Sequence, residues 1–191
     1  VKFDKDFFRI EVQYKKSDRD GKIKIEYSDK KHIFINGIKV KKFSELLGKI
    51  NIVIFTPDDI NILKNGPKMR RRFLDIMISQ LRPNYIYCLN MYTKTLEQRN
   101  AYLKQIKLEH KSEDLLELWN QKLYEYGEKI YKYRLEFIEK IKEKINDIHK
   151  KITNGNEEIK IEYISDFSSE ENFYMQLKQN QKIDIIRGAT S

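Results

Sequence analysis

The hydrophobic period of this chain changes at Thr56, and that change most constrains what it can fold into. Before Thr56 apolar residues recur at every second position; after it they recur every three or four. An alternating segment buries one face of a sheet, whereas a 3.6-residue repeat buries one stripe of a helix. The junction is built from switch residues. Ile52-Val53-Ile54-Phe55 is a continuous apolar run of β-branched and aromatic residues, which predicts a strand covered on both faces. Thr56-Pro57-Asp58-Asp59 stops it. Thr56 can cap a helix, Pro57 fits the first helical position, and the two aspartates sit where a helix N-terminus favours negative charge. Asn65-Gly66-Pro67 then ends one short helix and starts the next.

On the sheet side, Phe7 to Tyr14 and Lys22 to Tyr27 alternate, with Asp18-Arg19-Asp20-Gly21 supplying turn chemistry between them. Lys31 to Ile35 and Ile38 to Val40 flank Asn36-Gly37, a strong hairpin signal. On the helical side, Pro83 starts a long helix. A second, capped at Ser112, carries an apolar stripe from Leu115 to Ile148 over about forty residues, roughly 60 Å. Two such helices joined near Glu109-His110-Lys111 predict an antiparallel pair. Asn154-Gly155-Asn156 ends the second. Glu158 to Ile164 alternates again and predicts a strand returning to the first sheet, and Ser168-Ser169-Glu170-Glu171 fits a capping box for a last helix. The fold class is therefore α+β.

Charge bears on partners. Residues 1–110 hold 24 Lys+Arg against 13 Asp+Glu (+11), and residues 111–191 hold 14 against 16 (−2). Basic surface in the first part favours an acidic polymer there; the bland alternative is a solvated lysine-rich surface. The single cysteine, Cys88, excludes an internal disulfide and agrees with a reducing, cytoplasmic setting. No run approaches a membrane span. No Ser-His-Asp or Cys-His pattern and no metal-ligand spacing occurs, so no catalytic residue and no metal ligand is assigned.

Three groups of residues carry the functional readings. Arg70-Arg71-Arg72 lies one turn into the helix after Pro67. Arg71 can pair with Asp75 at i,i+4, while Arg70 or Arg72, with Lys68, can reach phosphate through forked guanidinium contacts or stay solvated. Gln98-Arg99-Asn100 is polar on an otherwise apolar helix. Either it ties two helices together in a buried network, or Arg99 contacts DNA or a partner. Thr56 and Asp58 suit a helix cap.

The stretch from Leu47 to Asp75, L-G-K-I-N-I-V-I-F-T-P-D-D-I-N-I-L-K-N-G-P-K-M-R-R-R-F-L-D, resembles the signature region of the RecF family. The likeness continues through Pro83-Asn84-Tyr85 to Tyr92 and Gln98 to Lys104, and returns in Asp184 to Thr190. RecF proteins are bacterial recombination-mediator ATPases related to SMC and ABC-type ATPases. The resemblance implies a piece of an ABC/SMC-like P-loop ATPase: residues 1–56 as the peripheral sheet of one lobe, 57–154 as a helical lobe, and 155–191 as a strand and helix returning to the first lobe. It implies a DNA-dependent ATPase that forms an ATP-dependent homodimer on duplex DNA near gap junctions and works with RecR and RecO to load RecA. It gives Thr56 and Asp58 a place in the switch segment, although the family has Glu where this chain has Asp58, and it adds weight to Lys68, Arg70, Arg72 and Arg99 as DNA contacts. The same arginines could instead line the dimer interface. ATP and Mg2+ are implied for the full-length parent. None of the seven glycines opens the G-x-x-x-x-G-K-[ST] loop that wraps phosphates, so this chain alone is expected to be inactive toward ATP. Two other readings stand beside this one: an SMC-like structural or interaction module, and part of another ABC-like DNA enzyme.

Overall fold

The computed structural model describes residues 3–15, 20–165, 167 and 170–191. The expected turn residues Asp18 and Arg19 and the capping pair Ser168-Ser169 lie outside them. The chain forms two compact units, Val1–Pro83 and Asn84–Ser191.

The first unit begins as a four-stranded antiparallel meander in the order β1 (Phe8–Lys15), β2 (Asp20–Tyr27), β3 (Lys31–Ile35) and β4 (Ile38–Val40). The register pairs Ile10 with Ile25, Val12 with Ile23, Ile25 with Ile33 and Ile33 with Val40, so the alternating apolar residues of all four strands share one face. Ile23 and Ile33 are buried there, while Ile10, Val12 and Ile38 remain exposed toward the sheet's edges. Asn36 and Gly37 both have positive φ, 50° and 84°, as a tight hairpin turn requires. Asn36 also ties the turn to β2: its N–H donates to Lys22 O and its Oδ1 accepts from Lys22 N, each at 2.8 Å. Gly21 faces the Tyr14 ring, which lies where a Cβ would project, 2.2 Å from Cζ.

The period change lands where the sequence puts it, but the run before it does not form a strand. Residues 51–56 are irregular and Val53 and Phe55 are 85% and 84% exposed. A strand needs a neighbour for its N–H and C=O groups, and none of the four described strands pairs with this run. The backbone bond recorded for it runs from Ile52 N–H to Gln80 Oε1, 2.8 Å. A 3-10 turn (Pro57–Ile60) then leads into α1 (Asn61–Lys64) and α2 (Pro67–Leu81).

The second unit is built on the expected antiparallel helix pair, α3 (Pro83–Glu109) and α4 (Leu116–Ile152). The pairing is antiparallel because Tyr85 meets Arg134, Arg99 meets Asn120, and Leu103 packs in one cluster with Leu116. The 37 residues of α4 form one unbroken helix, about 55 Å at 1.5 Å per residue. Cys88 is buried in α3, and desolvation pushes its thiol pKa up. Residues 157–165 contain no strand, contrary to the alternation-based expectation, and α5 (Glu170–Gln179) and α6 (Gln181–Arg187) complete the unit. Phe167 lies against α4, its ring occupying the space a Cβ on Gly127 would need, 2.2 Å from Cζ. Tyr124, Tyr131 and Phe173 surround that ring. Among the described residues no helix is long and apolar enough to cross a membrane.

Candidate nucleic-acid interface

The charge divides with the units. Residues 1–83 hold 20 Lys+Arg against 11 Asp+Glu, a net +9, and residues 84–191 hold 18 of each, a net zero. The whole excess is thus on the first unit, a sharper boundary than the one expected at residue 110.

Within that unit the sheet's polar face largely neutralises itself. Lys22 Nζ meets Glu11 Oε1 at 2.7 Å, and Glu26 Oε1 accepts from Arg9 at 2.9 Å and Lys24 at 3.2 Å. The hydrogen bond from Lys24, with the charges of Lys24 and Arg9, holds the Glu26 carboxyl below the usual range.

The start of α2 is different. Asn65 leaves α1 in an extended conformation, Gly66 is the N-cap, and Pro67 takes the first helical position. Ile78 and Ser79 are buried and Leu74 and Met77 half-buried, which anchors the C-terminal half of the helix. Lys68, Arg70, Arg71 and Arg72 all lie exposed in its first two turns, and no acidic residue occupies the first turn. A helix N-terminus carries partial positive charge, so four cations here add to the dipole instead of opposing it. That arrangement is unfavourable for the isolated helix and favourable for an anion. Arg70 is the arginine with an internal contact, Nη1 donating to Asn65 O at 2.9 Å. The contact expected from sequence is a different one, Arg71 with Asp75 at i,i+4. Lys68, Arg70 and Arg72 are therefore brought together on one element, with Arg70 partly engaged in closing α1.

Thr56 serves the turn after it. Its N–H donates to Asp59 Oδ2 at 2.6 Å and its Oγ1 to the same oxygen at 3.2 Å. Its hydroxyl is thus occupied by the cap, and Asp58 is exposed beside it. The described residues contain no group of three His, Cys, Asp or Glu able to hold a metal ion.

Arg99 is not a surface residue. It is 0% exposed in the second unit, and the buried-network alternative is the one the geometry favours over a DNA contact. Its Nη1 donates to Asp184 Oδ2 at 2.8 Å and Thr190 Oγ1 at 2.7 Å, and its Nε to Asn120 Oδ1 at 2.8 Å. Asn100 Oδ1 accepts from both the N–H and the hydroxyl of Thr190, at 2.8 and 2.7 Å. Asp184 Oδ1 accepts from Ser191 N–H at 2.8 Å. Desolvating an unpaired guanidinium is expensive, and the carboxylate of Asp184, equally buried, offsets that cost. Sequence reasoning missed Asn120, Asp184 and Thr190 as its partners. The available signal was that Arg99-Asn100 and Asp184 to Thr190 both belonged to the segments carrying the family likeness.

Comparison with known proteins agrees with that likeness. The chain is 40% identical over 192 residues to the DNA replication and repair protein RecF of Clostridium perfringens (strain SM101), covering 98% of this chain and 52% of the relative. It is 42% identical over 181 residues to the protein of the same name from Lachnospira eligens, covering 93% and 46%. Solved structures of the recombination mediator protein RecF in the RecFOR pathway, one with ATPrS and one with ATP, superpose with a TM-score of 0.85 at 36% identity, covering 100% of this chain and 54% of theirs. No family model matches the chain. The chain spans about half the length of the curated relatives it matches. With its meander sheet and helix pair, it has the α+β fold of an ABC/SMC-like ATPase portion, and it belongs to the RecF family.

Proposed function

We propose that this chain is the DNA-contacting portion of a RecF-type ATPase acting in recombinational repair and replication restart. The observation that carries the reading is the 40% identity to proteins named for DNA replication and repair, over nearly the whole chain. The unbalanced cation cluster at the start of α2, on the unit that bears the entire net charge, supports the physical side of it. Lys68, Arg71 and Arg72, with the part-engaged Arg70, bind duplex phosphates without reading sequence.

In the complete protein, ATP and Mg2+ control this contact through a homodimer. RecR and RecO cooperate with it at gap junctions to load RecA. The RecFOR relatives solved with ATP and ATPrS support the nucleotide and pathway parts of this reading. When bound, the nucleotide supplies the energy that switches the dimer. In such an assembly residues 1–56 belong to the ATPase lobe and 57–154 to the helical lobe. Residues 51–59 run between sheet and helices, where Thr56 and Asp58 would border the switch. The protein works in the cytoplasm, where its DNA is.

The test is fluorescence anisotropy with a labelled DNA duplex at low salt. Arg71→Ala/Arg72→Ala should weaken binding by about tenfold or more, since each lost phosphate contact is worth on the order of 1 kcal/mol. Both side chains are exposed, so the melting temperature should hold. Equal affinity of the two proteins would move these arginines out of the DNA contact.

A further inference from the structure

The first unit carries an open recess between the end of β1 and the turn that follows Phe43–Leu46. It is lined by Tyr14, Lys15, Gly48, Lys49, Ile50 and Asn51. Both of its walls are held in place. Tyr14 is the cross-strand partner of Gly21, and its ring lies where a Cβ on Gly21 would project, so the missing side chain lets the ring lie across β2. On the other wall Lys49 N–H donates to Leu46 O at 3.0 Å, and Gly48 takes a φ of 75°, which suits glycine. Just beyond Asn51, the Ile52 N–H is held by Gln80 Oε1 of α2.

Charge and size select what can enter. Lys22 and Lys24 on the same sheet are paired with Glu11 and Glu26. Among the described residues Lys15 and Lys49 have no such ion pair, even though Asp20 is the cross-strand neighbour of Lys15. No carboxylate lines the recess. Two ammonium groups without a carboxylate favour phosphate. The recess holds about 200 Å³, less than the roughly 300–1,000 Å³ of sites that enclose a whole small ligand. That volume admits one planar base and not a complete nucleoside triphosphate. Tyr14 offers such a base an aromatic surface, and the Asn51 amide can hydrogen-bond its edge. A duplex gains nothing from this floor, because its bases are stacked inside and its phosphates face outward. A single strand presents both groups at once.

We propose that this recess takes one nucleotide of single-stranded DNA, an assignment that rests on the DNA-contacting reading of this chain. The base lies against Tyr14, and the flanking phosphates meet Lys15 and Lys49. The contact differs in chemistry from the cations of α2. Those hold phosphates alone, whereas the recess also stacks a base, so it distinguishes an unpaired strand from a paired one.

Photo-cross-linking of the 191-residue chain to a thymidine oligonucleotide carrying iododeoxyuridine tests it, with the attachment site read by mass spectrometry. The cross-link should fall on Tyr14. In fluorescence anisotropy Tyr14→Leu should weaken oligonucleotide binding about tenfold, as losing one stacked base does, and leave blunt-duplex affinity within about twofold. Lys15→Ala/Lys49→Ala should flatten the salt dependence for the oligonucleotide by about 0.7 per lost phosphate contact, and it decides the matter if Tyr14→Leu fails to fold. Cross-links only outside the recess, or unchanged oligonucleotide affinity in both variants, would overturn the proposal; duplex binding retained in those experiments would leave the duplex reading standing. Absence of duplex binding with the Tyr14 cross-link intact would do the reverse. Equal weakening of oligonucleotide and duplex by Tyr14→Leu would also overturn the proposal, since the recess would then serve the duplex backbone.

Discussion

A buried guanidinium is tolerated only while its partners are in place, and that makes Arg99 the most sensitive residue of the second unit. Arg99→Ala leaves Asp184 charged and unpaired in the interior and should cost about 3–5 kcal/mol, measured by denaturant unfolding. Asp184→Asn should cost less than Asp184→Ala, because it keeps a hydrogen-bond acceptor for Arg99. A loss below about 1 kcal/mol for Arg99→Ala would mean that the pair contributes little to the fold. Gly127 is constrained by packing. Gly127→Ala places a methyl where Phe167 sits, so the ring and its stacked neighbours must move, at a cost of about 1–3 kcal/mol. Phe167→Ala in the Gly127→Ala background should then cost less than in wild type, because it relieves the clash that the new methyl introduces.

Elements show which sequence signals suffice. The sheet was legible down to its turn, since alternation and Asn36-Gly37 specify register locally. The helix pair was legible because its apolar stripe is long and its break at residues 110–115 is short. Residues 52–55 and 158–164 have the composition of strands but form none, for one shared reason. Composition reports that a segment suits a sheet, but forming one needs a neighbouring strand. The unpaired status of Ile52–Phe55 has a measurable consequence: Val53→Lys should change stability by no more than about 0.5 kcal/mol, whereas Ile78→Ala, at a buried position of α2, should cost about 2–5 kcal/mol. A large loss for Val53→Lys would place that run in a core. The cation cluster was legible as a motif, but the division of labour among its arginines depended on where the α1–α2 break points Asn65 O, which sequence does not state.

The contact of α5 with α4 gives an element-level pH dependence. The Glu117 carboxyl accepts from the Tyr174 hydroxyl and pairs with Lys178 at 3.2 Å. The Tyr174 hydrogen bond first, then Lys178, lowers its pKa from the ordinary glutamate value. A carboxyl lowered on folding stabilises the folded state above its unfolded pKa, and the contribution is lost as pH falls through the folded value. The near-ultraviolet tyrosine signal should therefore stay constant from neutrality into mildly acid solution and change only as pH falls below the ordinary glutamate range, about 4.3. In Glu117→Gln that acid-side change should be diminished; an identical profile would separate it from this carboxyl.

At the scale of the whole molecule, the two units are chemically distinct: one is strongly basic, the other neutral with a buried ion pair at its centre. Charge placement indicates which element presents the basic surface. The central claim is that this surface binds DNA through phosphates, and the salt dependence of duplex affinity tests it most directly. Neutralising several phosphates releases condensed counterions, so a plot of log affinity against log salt should fall with a slope of about −3 or steeper. Arg71→Ala/Arg72→Ala should flatten that slope by about one to two. Binding whose affinity does not change with salt, or no binding at the lowest salt, would contradict the account.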